Sequence, residues 1–262
     1  MKQQSTISIQ TLLPFDIALK IASYLEVPDL CSLGSCSRFW RELSLSECIW
    51  ESLTLERWPL LGFLNHSSSS SSPDLIIKGW RETYARVLRE RGWRELYVRV
   101  HKEMAGRAAA LIEFVEQTSP SEPLEVAVYY KEIEDLRSMQ FAFKDIEMFL
   151  FRPRLTVLLN LIGLHYCIVC LKIPARHVMD VLLNCKISER QVCVKWWKLG
   201  RLFYGFRMRD ECQCRCVSLA DLATDKGDDV LGILRRGAIH EVLRVEISIS
   251  ISTSAPWSCQ SN

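Results

Sequence analysis

The spacing of apolar positions changes along this chain, and the changes divide it. Leu13, Ile17, Ile21, Tyr24 and Leu25 recur at helical intervals, the spacing that lines side chains along one helical face. Pro14 suits a first helical turn, and Asp16 favours the positive end of the helix dipole. Val27-Pro28 stops this helix, because the residue before a proline avoids the α region. A second helix restarts at Pro28 and Asp29 and carries Leu30, Leu33, Phe39 and Trp40. Ser44-Leu45-Ser46-Glu47 matches a capping box. Ile49, Trp50 and Leu53 follow on a third helix, which frays by Trp58-Pro59.

The pattern then breaks. Asn65–Asp74 reads "NHSSSSSSPD"; six serines and a proline cannot pack a core, and they mark a flexible connection. Beyond it Trp80, Tyr84, Val87, Leu88, Leu96, Val100 and Met104 approximate a helical stripe over Lys78–Thr118, which Gly92 breaks in two. "SPSEPLEV" is a loop into a further helix over Glu125–Met139. Leu155–Leu171 reads as a buried helix running into a buried strand, and Pro174 starts a helix with Val178, Val181 and Leu182 behind it.

After Ser188 the period shortens to two. Val192–Leu199 and the alternation Leu202, Tyr204, Phe206, Met208 read as a hairpin joined at Gly200-Arg201, its second strand with one buried and one basic face. Gly227–Arg236 predicts a short helix. Leu243, Val245, Ile247, Ile249 and Ile251 predict another strand with one apolar face. Helices first and strands later make an α+β class with a mostly antiparallel C-terminal sheet.

Composition narrows the classes. The chain has 262 residues, 48% hydrophobic and 24% charged, with a net charge of +2. That balance gives no electrostatic reason for nucleic acid or an acidic membrane. Leu155–Leu171 is too short and too interrupted, by Asn160 and His165, to be expected to span a bilayer. Met1–Gln10 lacks the apolar core of a signal peptide, so an intracellular compartment is expected, nucleus or cytoplasm. The eleven cysteines are accordingly expected as thiols or possible metal ligands.

Candidate chemistry is thin. Cys167-x-x-Cys170 has zinc-ligand spacing, and Cys212, Cys214 and Cys216, with His165 or His177, could complete a set. Yet "HYCIVCLKI" lacks the glycines and polar turns of a zinc knuckle. The second group has period two, with about 6.6 Å between successive side chains on one strand face. No metal or other cofactor is expected. Lys78–Arg107 carries nine Lys or Arg against four Glu. It reads as a solvated helix face; the rival reading is a zinc- or nucleic-acid-binding module that uses this helix and the Cys-rich strand. Asp221, Asp225, Asp228 and Asp229 lack the spacing of an EF-hand. No nucleophile elbow, P-loop, dinucleotide fingerprint or HExxH is present, so the chain reads as non-catalytic.

The first segment poses a different question. Three short helices in roughly 45 residues bury little surface, and domains of that size usually need outside support. Its first helix is apolar at Ala18, Leu19 and Ala22 as well as on the main stripe. A helix apolar on most sides expects cover on most sides. Leu13-Pro14-x-Asp16-Ile17, Ile21, Tyr24-Leu25, Asp29-Leu30, Leu33, Ser37-Arg38-x-Trp40-Arg41 and Ile49-Trp50-x-x-Leu53 together resemble an F-box. Cys36 and Ile49 depart from the family's usual valine and leucine but keep a small or apolar type. "LGSCSRFWREL" and Trp58-Pro59 look like the plant-type members.

The resemblance implies a three-helix F-box over residues 9–57 and a target-recruiting role for the α+β domain over 78–251; composition marks a Ser-rich linker over 58–77 and a polar, disordered tail over 252–262. It implies a substrate-receptor subunit that binds a Skp-type adaptor and, through it, a cullin and a RING subunit. The implied anchors are Leu13, Pro14, Ile17, Ile21, Leu25 and Trp50, with Leu33 and Trp40. Leu13 and Pro14, at the exposed start, favour contact with the adaptor. Ile17, Ile21, Leu33 and Trp40 serve either the partner or the helices' own core.

Overall fold

A computed structural model describes residues 13–64, 75–118, 123–224, 228–236 and 242–249. The chain forms two compact units, Met1–Glu103 and Met104–Asn262.

The first unit opens with α1 (Phe15–Ser23), α2 (Val27–Cys36), α3 (Arg38–Ser44) and α4 (Glu47–Arg57). Four helical segments stand where three were expected. The extra break is Ser37, which is extended (φ −158°, ψ 169°) and whose hydroxyl oxygen accepts the Trp40 N–H at 3.3 Å. Serine favours this N-cap position because it satisfies an amide that the helix leaves free. The expected capping box at Ser44–Glu47 does not form. Ser46 occupies the N-cap without a side-chain bond to a backbone amide. The Ser44 hydroxyl instead donates to the Arg41 carbonyl, and the Ser44 carbonyl accepts from Trp50 Nε1 at 2.8 Å.

A 3-10 turn (Pro59–Leu64) follows, and then α5 (Leu75–Thr118). The serine run lies outside the described residues. Gly92 breaks α5 as expected, at φ +83°. Tyr84, Val87, Trp93, Leu96, Tyr97 and Val100 are its buried residues within this unit. Tyr97 meets the Trp50 and Trp58 rings, with centroids 5.4 and 5.1 Å away. Its hydroxyl accepts Arg57 Nη1 at 2.7 Å. The part of α5 up to Glu103, on both sides of Gly92, thus completes the core that the four short helices begin.

The second unit contains β1 (Leu124–Glu125), α6 (Val126–Ser138), α7 (Phe143–Phe149) and α8 (Val157–His165). Every residue of α8 is buried, and it packs on α6, β2 and β6. The expected strand after it is not there; Tyr166–Cys170 continue as a π-helical turn. Uniform apolarity carries no period, so this run could not reveal which structure it takes. Next come α9 (Ala175–Asn184), β2 (Gln191–Lys198), β3 (Leu202–Phe203), β4 (Phe206–Arg207), β5 (Glu211–Ser218), α10 (Leu219–Leu222), α11 (Asp228–Arg236) and β6 (Val242–Ile249).

One sheet has the order β1-β6-β2-β5, antiparallel throughout. Its inner face carries Leu124, Val192, Val194, Trp196, Val217, Val245 and Ile247, all buried. The expected strand over Leu202–Met208 is corrected. β3 and β4 form a separate two-stranded hairpin, turning at Tyr204 (φ +47°) and Gly205 (φ +84°). β2 pairs instead with β5. Alternation alone does not distinguish one strand from two short ones facing each other across a tight turn.

Candidate partner-binding surface

Helix α1 turns its large side chains outward. Ala18 and Ala22 are fully buried, whereas Ile17 and Ile21 are each 45% exposed, Phe15 58% and Tyr24 78%. The helix packs on α3 and α4, and the small alanines allow close approach. Ile17, Ile21 and Tyr24 follow one another at i, i+4 and i+7 along one face. Leu13 and Pro14 lie just ahead of the helix, half-buried and exposed respectively. Such a stripe is apolar surface left in water, which soluble chains usually reserve for contact.

The other candidates fall elsewhere. Leu25, Leu33 and Trp40 are half-buried, and the Trp40 ring stands edge-on to Phe39 at 5.2 Å. Trp50 is 3% exposed and is spent on Ser44 and Tyr97. It is a core residue, not part of the exposed stripe, because α5 covers it. Phe15, Tyr24 and Leu45 are exposed apolar residues that the anchor set left out. Tyr24 shares the Ile17–Ile21 spacing and so was legible. Leu45 follows α3 and shows no such periodic signal.

Among the described residues no group of three or more His, Cys, Asp or Glu could hold a metal ion. Cys167 is buried on the π-helical turn, and burial, with Cys170 beside it, pushes its thiol up. Burial also raises Cys170. Cys212, Cys214 and Cys216 do share one face of β5, as period two requires. However, Cys216 is joined to Cys193, its neighbour across the β2–β5 ladder, in a disulfide. The expectation of free thiols is corrected for this pair. Directly opposed strand positions bring two sulfurs within bonding reach, which residue spacing alone could not show.

The Tyr129 hydroxyl and His165 Nδ1 lie 2.7 Å apart in the second unit's core. Burial, with Arg235 nearby, lowers the His165 pKa to about 4, so the ring is neutral. No described helix is long and apolar enough to cross a membrane.

Comparison with known proteins agrees with the geometry of the first unit. Residues 11–56 match the F-box-like family, so the chain carries an F-box-like domain at its N-terminal end. Over 49 residues it is 43% identical to F-box only protein 4 of Bos taurus, which is 19% of this chain and 13% of that protein. The matched segment is thus a small part of either chain. No solved structure matches.

Proposed function

We propose that this chain is a non-catalytic substrate-receptor subunit of an SCF-type ubiquitin ligase. Its F-box-like domain docks on a Skp-type adaptor, which links it to a cullin and a RING subunit. The second unit holds a target protein. The mechanism is positional: tethering raises the effective concentration of target lysines near a charged conjugating enzyme. No nucleophile in this chain is needed. The plant-type character of "LGSCSRFWREL" belongs to the same proposal, although the relative found is bovine. A nuclear or cytoplasmic site of action goes with it.

The observation that carries this reading is the reversal on α1, with alanines inside and Ile17 and Ile21 outside. A monomer gains nothing from exposing both isoleucines. A partner that covers them gains roughly 25 cal/mol per Å² of apolar surface removed from water. Leu13, Pro14, Leu25 and Tyr24 extend the same surface, and Leu33 and Trp40 border it in the family's pattern. A standard interface buries about 1,600 Å² and depends on a few such anchors.

The test is a pull-down with a Skp-type adaptor. Ile17→Glu with Ile21→Glu, and separately Leu13→Ala with Pro14→Ala, should abolish capture of the adaptor and of any cullin that follows it. Capture undiminished in both variants overturns the reading.

A further inference from the structure

The second unit carries an exposed surface of its own. β5 is a sheet edge: β2 pairs with one side, and no described strand pairs with the other. Residues 211–216 of this strand are exposed. Cys193 and Cys216 are 4.1 Å apart between Cα atoms, the close spacing of a pair that exchanges no backbone hydrogen bonds. The alternation then follows. Gln213 and Arg215 bond to β2, whereas the N–H and C=O groups of Cys212, Cys214 and Cys216 face the free edge. The disulfide ties this edge to the central strand.

The β3–β4 hairpin stands in the connection between β2 and β5. Its large apolar side chains, three of them aromatic, are uncovered: Phe203 is 64% exposed, Tyr204 89%, Phe206 79% and Met208 58%. The hairpin is nonetheless well built. The Met208 N–H donates to the Arg201 carbonyl at 2.9 Å, and Asp210 accepts from the Gly200 N–H at 2.9 Å and from Arg207 at 3.1 Å. Those bonds hold Asp210 below the usual carboxylate range.

The charge here is one-sided. Lys195, Lys198, Arg201, Arg207, Arg209 and Arg215 stand against Asp210 and Glu211 alone over residues 195–215. Asp210 engages Arg207, and Asp229 engages Arg215 at 3.3 Å. Lys198, Arg201 and Arg209 have no carboxylate partner among the described residues.

From the unpaired edge, the aromatic hairpin and the cationic surplus we infer that β5 and the β3–β4 hairpin form a peptide-docking site. It takes an extended, acidic segment of a target protein as an added strand. Main-chain bonds along an edge give such a site its affinity, and alternate side chains give it selectivity. The aromatics receive the segment's apolar positions, and the free cations its carboxylates. Single-stranded nucleic acid also stacks on aromatics, but it has no use for an edge of backbone donors and acceptors. This inference rests on the receptor role and names the chemistry of its target.

The experiment measures peptide binding by the whole 262-residue chain with labelled synthetic peptides the length of β5. One alternates Val and Tyr with Glu. A second has Lys for Glu, a third carries a central Pro, and oligouridylate is the fourth probe. The acidic peptide should bind, more weakly as salt rises, and the other three at least about tenfold less tightly. Two variants probe the site. Tyr204→Asn with Phe206→Thr removes the two most exposed of the three hairpin aromatics and leaves an Asn-Gly turn, which suits two positive φ values. Cys214→Pro removes an amide that faces the free edge, where proline is tolerated. Each should cost about tenfold in affinity for the acidic peptide.

Failure of the acidic peptide to bind, equal binding of the Lys peptide, unchanged affinity in the aromatic variant, or preference for oligouridylate overturns the inference. So does concentration-dependent self-association that Cys214→Pro abolishes, because the edge then serves a second copy. Adaptor capture by the same proteins separates the two levels. If capture persists while peptide binding is absent, only the docking site falls. Loss of capture by the unmodified chain removes the receptor role itself.

Discussion

The backbone N–H of Trp93 donates to a Glu47 carboxylate oxygen at 2.6 Å. Trp93 follows the break at Gly92, where a new helical run begins and its first amides lack partners. Glu47 opens α4 and supplies the acceptor. One side chain therefore joins the F-box-like helices to α5 and settles the geometry of the break.

Gly92→Ala should destabilise the first unit by about 1–3 kcal/mol. A Cβ there meets the Glu47 carboxylate at 2.6–2.8 Å, and the backbone sits at φ +83°. The carboxylate is the far end of a flexible side chain and can move aside, but the positive φ cannot be relieved in that way. Glu47→Ala alone should cost about 1 kcal/mol. In denaturant titrations of the double variant, the two losses should fall short of additivity, since removing Glu47 removes the clash.

Trp50 and the α1 isoleucines should respond in opposite ways. Trp50→Ala empties a buried site and should cost about 3–5 kcal/mol. Ile17→Ser and Ile21→Ser, on the exposed face, should stay within about 0.5 kcal/mol. Thermal melts of the three variants decide this. A large loss at Ile17 would place that side chain in the core and remove the exposed stripe.

Asn160 is a polar residue inside an otherwise apolar helix. Its Nδ2 donates to the Leu150 carbonyl at 2.7 Å, and its Oδ1 accepts from Arg190. Asn160→Leu adds apolar volume but leaves that carbonyl and the guanidinium without this partner. A loss of about 2–3 kcal/mol is expected despite the greater hydrophobicity, read as a lower urea midpoint.

His165 gives stability a pH dependence. Its folded pKa is lowered from 6.5 to about 4, first by burial and then by Arg235. Between those values the unfolded chain binds a proton that the folded chain refuses. Stability is therefore full above the unfolded value and falls as pH drops from 6.5 toward 4, by on the order of 2 kcal/mol at pH 5. Melts of the parent and His165→Gln at pH 7 and pH 5 should show a shallower acid loss in the variant. Equal losses would assign the acid sensitivity to other groups.

Helical period, proline punctuation and alternation determined much by themselves: the α1 stripe, the break at Gly92, the helix after Pro174 and strand β6 are all legible in residue order. Each depends on neighbours a few positions away, and local sterics fix those contacts. What only the tertiary structure decided involves partners far along the chain. Trp50 is interior because Tyr97 covers it. Glu47 leaves its expected cap for an amide 46 residues on. Cys193 finds Cys216 through strand register, and Leu202–Met208 folds back on itself instead of joining the sheet. A residue's own pattern states which of its faces is apolar. Whether that face meets the chain's own core, a neighbouring strand or solvent is set by packing, which depends on distant residues that no local period encodes.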